Sequence, residues 1–498
     1  LYISFIWTAT ISGYVKNKNN GKSIPNANIS IKELSLGAST NPYGYFEIDV
    51  IDGIYTVETS VIGFKTDTSI INTNAMQNHN IYLTTSILQY NEVLVKGLIN
   101  TRMGYESIDI VESQNIKSMN NESVSDLLNN LSGIDSQFSH PNGRNVNVSI
   151  RGSSDYKPGG YNNRVLVLLN GFPILIPNSG SPDWSSLPLE NLQRIEINNT
   201  AASTQYGHNS MGGVINLVTD NSTNKTQFNL LSGNNNTNQI SMIHNKKHNN
   251  FLLGLNTMLR SSEGHRFNAD NNIQRLQSFI KYTNLGREYK LNYLISLSNL
   301  GHPGFDIKDS NKYRKSKRIS QYLQMKGFYP ITEGISMSHS IFINTFKTNY
   351  SNRNDIPTSW LESNTLDANT SYNDINYGIR SEMIVTKLSR WIFLLGYDAD
   401  ISSSHVDLLN QMYDKPRQTS IGGFLQSKYS IGSGFNFNTG IRYDYRNTNP
   451  GNNFQQRVYT HISPKINISY TNNQKLIYNI SYSKGFRAPS ISELYLKH

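Results

Sequence analysis

Hydrophobic and polar positions follow three different rhythms along the chain. Over 11–85, short apolar-polar alternations at 11–15, 27–32, 45–50, 55–61 and 80–83 are separated by turns such as Asn41-Pro-Tyr-Gly44 and Ile51-Asp-Gly53. Period-2 runs punctuated by Gly, Pro and Asn predict a small β-sandwich. Up to about Asp220 the rhythm is mixed. In Ser123-Val-Ser-Asp-Leu-Leu-Asn-Asn-Leu131, Val124, Leu127, Leu128 and Leu131 recur at helical spacing, Ser123 is placed to cap the first turn, and Gly133 stops the helix. Apolar runs at 146–150, 165–169, 195–197 and 213–219 predict strands of a buried sheet, so this unit reads as a small α/β domain.

From 223 onward long alternating stretches take over. In Phe435-Asn-Phe-Asn-Thr-Gly-Ile-Arg-Tyr-Asp-Tyr445 one face carries Phe435, Phe437, Thr439, Ile441, Tyr443 and Tyr445, and the other Asn436, Asn438, Gly440, Arg442 and Asp444. Residues 291–297, 391–399 and 476–482 repeat the division. Strands of about ten residues or more, aromatics near their ends and connections of unequal length predict an antiparallel transmembrane β-barrel, one side toward lipid and the other toward water. Roughly a dozen strands are expected, the last ending near Tyr482; a plugged outer-membrane barrel has about 22, so the sequence is expected to stop before such a barrel closes.

Composition removes several alternatives. The 45 Lys and Arg exceed the 35 Asp and Glu by ten, yet only 16% of residues are charged and the cations are dispersed, unlike a nucleic-acid footprint. The exception, Lys312-Tyr-Arg-Lys-Ser-Lys-Arg318, reads as a solvated loop. Without cysteine, no disulfide, thiolate metal site or cysteine nucleophile is possible. No apolar run reaches the roughly 20 residues of a spanning helix. The opening LYISFIWTAT reads as the tail of a signal peptide over 1–10, on an exported chain with a clipped N-terminus.

Candidate chemistry is sparse. His244 and His248 have i, i+4 spacing, but Lys246-Lys247 and neighbouring asparagines suggest a loop and no metal site. Asn268-Ala-Asp-Asn-Asn272 lacks calcium-loop spacing. No nucleophile elbow or acid-base pair stands out, so neither enzyme activity nor a resident cofactor or metal is expected. Gln205-Tyr-Gly-His-Asn-Ser-Met-Gly-Gly-Val-Ile-Asn-Leu-Val-Thr219 has the glycine spacing of a phosphate loop. However, Gly213 and Val214 replace the Lys and hydroxyl, and the loop leads into a strand instead of a helix. A sharp turn with close backbone approach is the expectation.

These motifs carry a family resemblance. Gly13-Tyr-Val15, Ile24-Pro-Asn-Ala-Asn-Ile29, Thr40-Asn-Pro-Tyr-Gly-Tyr-Phe46 and Gly53-Ile-Tyr-Thr-Val57 resemble the carboxypeptidase-regulatory-like domain, a transthyretin-like sandwich, over 11–85. The capped helix through Ile134, Val148-Ser-Ile-Arg-Gly-Ser153, Val165-Leu-Val-Leu-Leu-Asn-Gly-Phe-Pro173, Leu189-Glu-Asn-Leu-Gln-Arg-Ile-Glu-Ile197 and the glycine loop resemble the plug of a TonB-dependent outer-membrane receptor, over 101–222. Ile462-Ser-Pro-Lys465 and Gly485-Phe-Arg-Ala-Pro-Ser-Ile-Ser-Glu-Leu-Tyr495 resemble its barrel signatures within 223–498. Two departures stand out: Thr200-Ala201 replaces a usual Gly-Pro, and Asn170 replaces a usual Asp.

The resemblance implies a mainly β protein that imports a scarce nutrient across the outer membrane, an iron-siderophore or cobalamin-type complex, with a glycan importer or a surface adhesin as alternatives. It implies a small-molecule or metal-chelate ligand, surrounding outer-membrane lipid, no nucleic acid, and an energy-transducing partner, TonB-ExbB-ExbD. The partner would dock by strand addition on a box in the linker 86–100, for which Asn91, Glu92, Val93, Leu94 and Val95 are the candidates. The box and the sandwich would lie on the periplasmic side. Asp155, Tyr156, Lys157, Tyr161, Asp183 and Trp184, in two plug loops, combine stacking surfaces with polar groups and are the ligand-facing candidates. The alternative is that these aromatics pack the plug against the barrel wall.

Overall fold

A computed structural model describes residues 8–84, 108–137, 146–153, 164–303, 314–352, 369–406, 415–472 and 476–495, less 74–78 and single or paired positions in loops and turns. It divides into two compact units, 1–93 and 94–498.

The first unit is a sandwich of two sheets. One orders β4 (Tyr45–Ile51), β1 (Thr8–Asn17) and β7 (Ile81–Leu83); the other orders β3 (Leu36–Ser39), β2 (Asn28–Ile31), β5 (Ile54–Ser60) and β6 (Asp67–Asn72). Alternate residues such as Ile11, Val15, Ile29, Phe46 and Val57 fill the space between them. The Asn41 side-chain carbonyl accepts from the amides of Tyr43 and Tyr45, the Asx geometry that turns a chain into a strand. β1 begins at Thr8, with Thr8 opposite Ile51, so 8–10 belong to the sandwich instead of preceding it.

In the second unit a five-stranded sheet orders β12 (Phe172–Pro173), β11 (Val165–Leu169), β14 (Gly213–Thr219), β13 (Leu192–Asn198) and β8 (Ile108–Glu112). β9 (Ile134–Gln137) and β10 (Asn147–Ile150) pair beside it. Helix α1 (Ser113–Ser118) has one buried residue, Ile116, and no side-chain cap, which is why no helical period betrays it. Helix α2 (Val124–Asn129) is the one the sequence marks. Ser123 Oγ accepts from the Asp126 amide at 3.1 Å, and the Asp126 carboxylate accepts from the Glu122 amide at 3.0 Å, so two orphan donors are satisfied. Leu127 and Leu128 are fully buried with Val148, Ile195, Ile215 and Leu217 in the plug core; burial of each large side chain stabilises by about 1.5–3 kcal/mol.

Around this plug runs one antiparallel sheet of thirteen strands, each paired with its sequence neighbour. They are β15 (Lys225–Gly233), β16 (Thr237–His248), β17 (Phe251–Ser262), β18 (Asn271–Asn284), β19 (Arg287–Gly301), β20 (Arg314–Thr332) and β21 (Ile335–Asn352). β22 (Asn369–Val385), β23 (Trp391–Val406), β24 (Arg417–Gly432), β25 (Phe435–Asn449), β26 (Arg457–Asn472) and β27 (Leu476–Ser483) follow. A short helix, α3 (Ser203–Tyr206), lies in the plug, and another, α4 (Ile491–Tyr495), follows the last strand. No helix among the described residues is long and apolar enough to cross a membrane.

The alternation divides the sheet as expected. Leu291, Leu323, Ile341, Leu425, Ile441 and Ile466 are exposed on the outer face, whereas Asn292, Gln324, Asn344, Arg442 and Ser463 are buried on the inner one. Aromatics collect on the outside where the connections are short. Trp391 stacks on Tyr429 at 4.5 Å, Phe435 on Tyr470 at 4.4 Å, and Phe251 meets Tyr282 at 4.9 Å. Such a girdle beside an apolar band is the interfacial pattern of membrane barrels.

Candidate functional site: the seam between plug and wall

The plug touches the inner wall along two polar tracts. On the first, residues 183–191 face β18, β19 and β20. Asp183 N-caps the 3-10 turn Trp184–Ser186 and also accepts from Arg318 Nη1 at 3.0 Å and Ser320 Oγ at 2.6 Å. Glu190 receives Arg275 Nη1 on both carboxylate oxygens, at 2.9 and 2.8 Å. Ser186 and Tyr322 share a hydroxyl contact of 2.7 Å, and Asn191 donates to Gln277 at 2.9 Å. Leu294, Tyr322 and Phe346 of the wall add a small apolar contact to the plug core.

On the second tract the turn Gln205-Tyr-Gly-His208 meets β22 to β25. Arg380 Nη2 donates to the Gln205 carbonyl at 3.0 Å, and its guanidinium lies 5.5 Å from the Tyr206 ring. Arg446 Nη1 donates to His208 Nε2 at 2.8 Å. Between them Arg442, nearly inaccessible at 2% side-chain exposure, grips both oxygens of Asp398 at 2.7 Å and Asp444 at 2.8 Å. Gly207 explains how the turn comes so close. Its φ is +75°, and a Cβ there would stand 2.8 Å from Arg442 Nη2, so any side chain would push this turn off the wall. The glycine loop is therefore a close-approach turn leading into β14, as its residue order implies.

His208 is altered by this neighbourhood. Burial, then the guanidinium groups of Arg446 and Arg442, hold its imidazole well below the usual value of 6.5. It is neutral and accepts at Nε2. Asp220, at the plug's exit, is pushed up by burial but held below its usual value overall by hydrogen bonds from Lys225 and Ser222.

Beside this turn is a partly open cavity. Leu168, Phe172 and Leu175 of the plug give it an apolar side; Arg380, Asp398 and Arg446 of the wall give it a charged one. An apolar floor with a few fixed polar groups is the usual make-up of a small-molecule site.

Two distant motifs meet here. Phe486 donates its amide to Ser203 Oγ at 3.1 Å, and Ser492 donates to the Asn178 carbonyl at 3.0 Å, so the segment Gly485-Phe-Arg-Ala-Pro-Ser490 folds against the glycine turn. Both departures from the family pattern keep their turns. Asn198 Oδ1 accepts from the amide and hydroxyl of Thr200 at 3.0 and 2.8 Å, replacing a glycine turn with a side-chain one. Asn170, at φ +56°, accepts from the amide and hydroxyl of Thr219, both at 3.0 Å.

Of the sequence candidates, Asn91, Glu92, Val93, Leu94 and Val95, and likewise Asp155, Tyr156, Lys157 and Tyr161, lie outside the described residues. Asp183 and Trp184 are described and buried, at 1% and 3% exposure. As placed, Asp183 bonds the wall and Trp184 sits in the plug core. His244 and His248 stand on β16, not in a loop; they share its outer face two alternations apart, too far to share a metal, and no metal-holding cluster occurs among the described residues. The charged stretch ending at Arg318 is also strand, not loop, from Arg314 onward. Sequence reasoning did not single out Arg380, Arg446 or Asp398; the only available signal was a charge on the polar side of an otherwise alternating strand.

Comparison with known proteins agrees with this architecture. The TonB-dependent receptor plug domain matches residues 101–214, and the CarboxypepD_reg-like domain matches 11–95. The vitamin B12 transporter BtuB of Photobacterium profundum is 30% identical over 112 residues, 22% of this chain and 17% of that protein. Among solved structures, the unliganded ferric citrate transporter FecA superposes with a TM-score of 0.65 at 15% identity, covering 80% of this chain and 65% of that one. The siderophore receptor PiuA of Acinetobacter baumannii gives 0.61 at 13%, covering 78% and 65%, and the copper transporter OprC gives 0.62 at 13%, covering 78% and 64%. The chain thus spans about two thirds of the solved receptors' length, and likeness at this identity speaks for the fold. With a CarboxypepD_reg-like domain, then a TonB-dependent receptor plug, then a receptor-type barrel sheet around that plug, this chain has the domains and the fold of the TonB-dependent receptors.

Proposed function

We propose that the protein imports a scarce nutrient across the outer membrane, taking up an iron-siderophore or cobalamin-type complex with energy supplied by a TonB-ExbB-ExbD complex. The observation that carries this reading is the seam. A plug with an apolar core is seated against the wall mainly by hydrogen bonds and ion pairs. Polar contacts exchange for water at a modest net cost, about 0.5–1.5 kcal/mol for neutral hydrogen bonds and about 1.5–3 kcal/mol for those to charged groups, so such a plug can shift while staying folded. In this reading the end with short turns and aromatic stacks faces the periplasm. Ligand enters from the end with the long connections, and the cavity beside Arg380 and Arg446 is space it occupies as the plug moves. The names of the relatives, a vitamin B12 transporter and receptors for ferric citrate and siderophores, support this ligand class.

Asn91, Glu92, Val93, Leu94 and Val95 act as the box that adds a strand to the partner. Asp155, Tyr156, Lys157 and Tyr161 remain the plug-loop candidates for ligand contact. The test is accumulation of labelled ferric siderophores, haem, cobalamin and oligosaccharides by cells expressing the full-length gene. Deleting 91–95 is expected to abolish accumulation of one chelate while leaving its surface binding intact. Accumulation unchanged by the deletion defeats the reading, and uptake restricted to oligosaccharides would reassign the ligand.

A further inference from the structure

The charged stretch that reads as a loop in the sequence becomes the first turns of β20, and there its cations separate by parity. Ser316 and Arg318 point inward, where Arg318 holds Asp183. Lys315 and Lys317 lie on the outer face with Ile319 and Leu323. On β21, Lys347 stands opposite Ile319, diagonal to Lys317, and is also exposed on that face. Diagonal neighbours in an antiparallel pair are about 7–8 Å apart, and Lys315 is roughly one alternation, about 7 Å, along the strand. Three ammonium groups thus share a small patch.

Like charges at that spacing repel, so the patch calls for an anion. Among the described residues the protein supplies little. Asp270, in the connection before β18, reaches Lys315 at 3.1 Å, but the outward positions of β19, β20, β21 and β22 hold no carboxylate. Instead Asn299, Asn349 and Asn373 surround the lysines as further donors. On the side toward the short turns, the same face continues at once into Leu297, Ile319, Leu323 and Ile343, each 38–42% exposed. The lysines therefore border the apolar band at its long-connection margin, where the polar heads of lipids lie if the band meets acyl chains.

We propose that Lys315, Lys317 and Lys347 form a docking site for the net-anionic, phosphate-bearing headgroup of a membrane lipid whose acyl chains lie along Leu297, Ile319, Leu323 and Ile343. The proposal rests on the reading of the outer face as lipid-facing. Charge complementarity selects a headgroup whose phosphates leave it net negative over a zwitterionic phospholipid, and the neighbouring amides suit a sugar-phosphate head. Each lysine near such a surface contributes modestly, yet three acting together are expected to raise affinity at least about tenfold.

The experiment is native mass spectrometry of the whole chain purified in detergent, titrated with bisphosphorylated lipid A, the same lipid with its phosphates removed, and phosphatidylethanolamine. Wild type is expected to hold the bisphosphorylated lipid at least tenfold more tightly than the other two. K315Q/K317Q/K347Q should lose that preference, and K315R/K317R/K347R should keep it. Equal retention by the glutamine variant, or of the dephosphorylated lipid, overturns the site. Quenching of Trp391, exposed on the same outer face, by brominated lipid, with W391F as the subtraction, reads the underlying lipid contact separately. Quenching without a lysine effect sinks only the headgroup site; no quenching sinks the lipid-facing reading beneath it.

Discussion

The interior of the plug and its seam with the wall are built from opposite materials. Within the plug, Leu127, Leu128, Val148, Ile195, Ile215 and Leu217 exclude water around a short sheet. At the seam, Asp183, Glu190, Gln205 and His208 are each matched to an arginine of the wall. An apolar core loses its transfer free energy all at once when opened, whereas a polar seam trades protein partners for water partners. The difference suits a body that keeps its own fold while changing its seat.

The comparison can be broken at either side. Leu128→Ala, in the plug core, is expected to cost about 2–5 kcal/mol of plug stability, seen as a lowered thermal midpoint and early proteolysis within 108–220. If the core tolerated it at no cost, the contrast would disappear. Arg442→Ala strikes the seam. Removing one partner of a buried pair costs roughly 3–5 kcal/mol, but Asp398 keeps Arg380 as a neighbour at 3.6 Å and is 22% exposed. Asp444, at 10% side-chain exposure, loses this partner outright, so the expected loss stays at the lower end of that range, about 3 kcal/mol. It should appear as faster amide exchange over 203–209 with the α2 amides unchanged; an equal rise in both places would mean that seam and core open together.

The smallest effect is a pH dependence. Because His208 has a depressed value in the folded chain, the unfolded chain binds more protons between that value and 6.5. Stability of the seam therefore rises with pH through this window and is level above it. Lowering pH from 7 to 5 favours the opened turn, in which the imidazole is free to take up a proton, and should speed exchange in the 203–209 turn. His208→Gln, which retains an acceptor without titrating there, should flatten the profile, and an unaltered profile in that variant would assign the dependence to another group.

Legibility followed the range of the interaction. The Ser123 cap, the alternation in 435–445 and the Asn170-Gly171 turn act over a few residues, so composition and spacing reveal them. β3, with Leu-Gly-Ala-Ser, and α1, with a single buried residue, carry too little pattern to be seen. Lys315 and Lys317 show a subtler failure: a run dense in charge looks solvated until parity along β20 sends alternate residues to opposite faces. Asp183 and Trp184 read from sequence as either ligand-facing or packed against the wall, and that choice was not legible because Arg318 and Ser320, which enclose the Asp183 carboxylate, lie 135 and 137 residues away.

By itself the sequence determined that this is a mainly β chain with a sandwich, an α/β unit and a long run of two-faced strands. Side-chain parity, caps and turns are local, and the hydrophobic effect acts on them wherever the chain goes. Only the tertiary structure decided which inward polar residues meet. Arg380 sits on β22 and Arg442 and Arg446 on β25, three strands further on, and what brings them to Gln205-Tyr-Gly-His208 is the register and curvature of a whole sheet around the plug. Those depend on every strand pairing between them, so the seam has no signature in any one stretch of sequence.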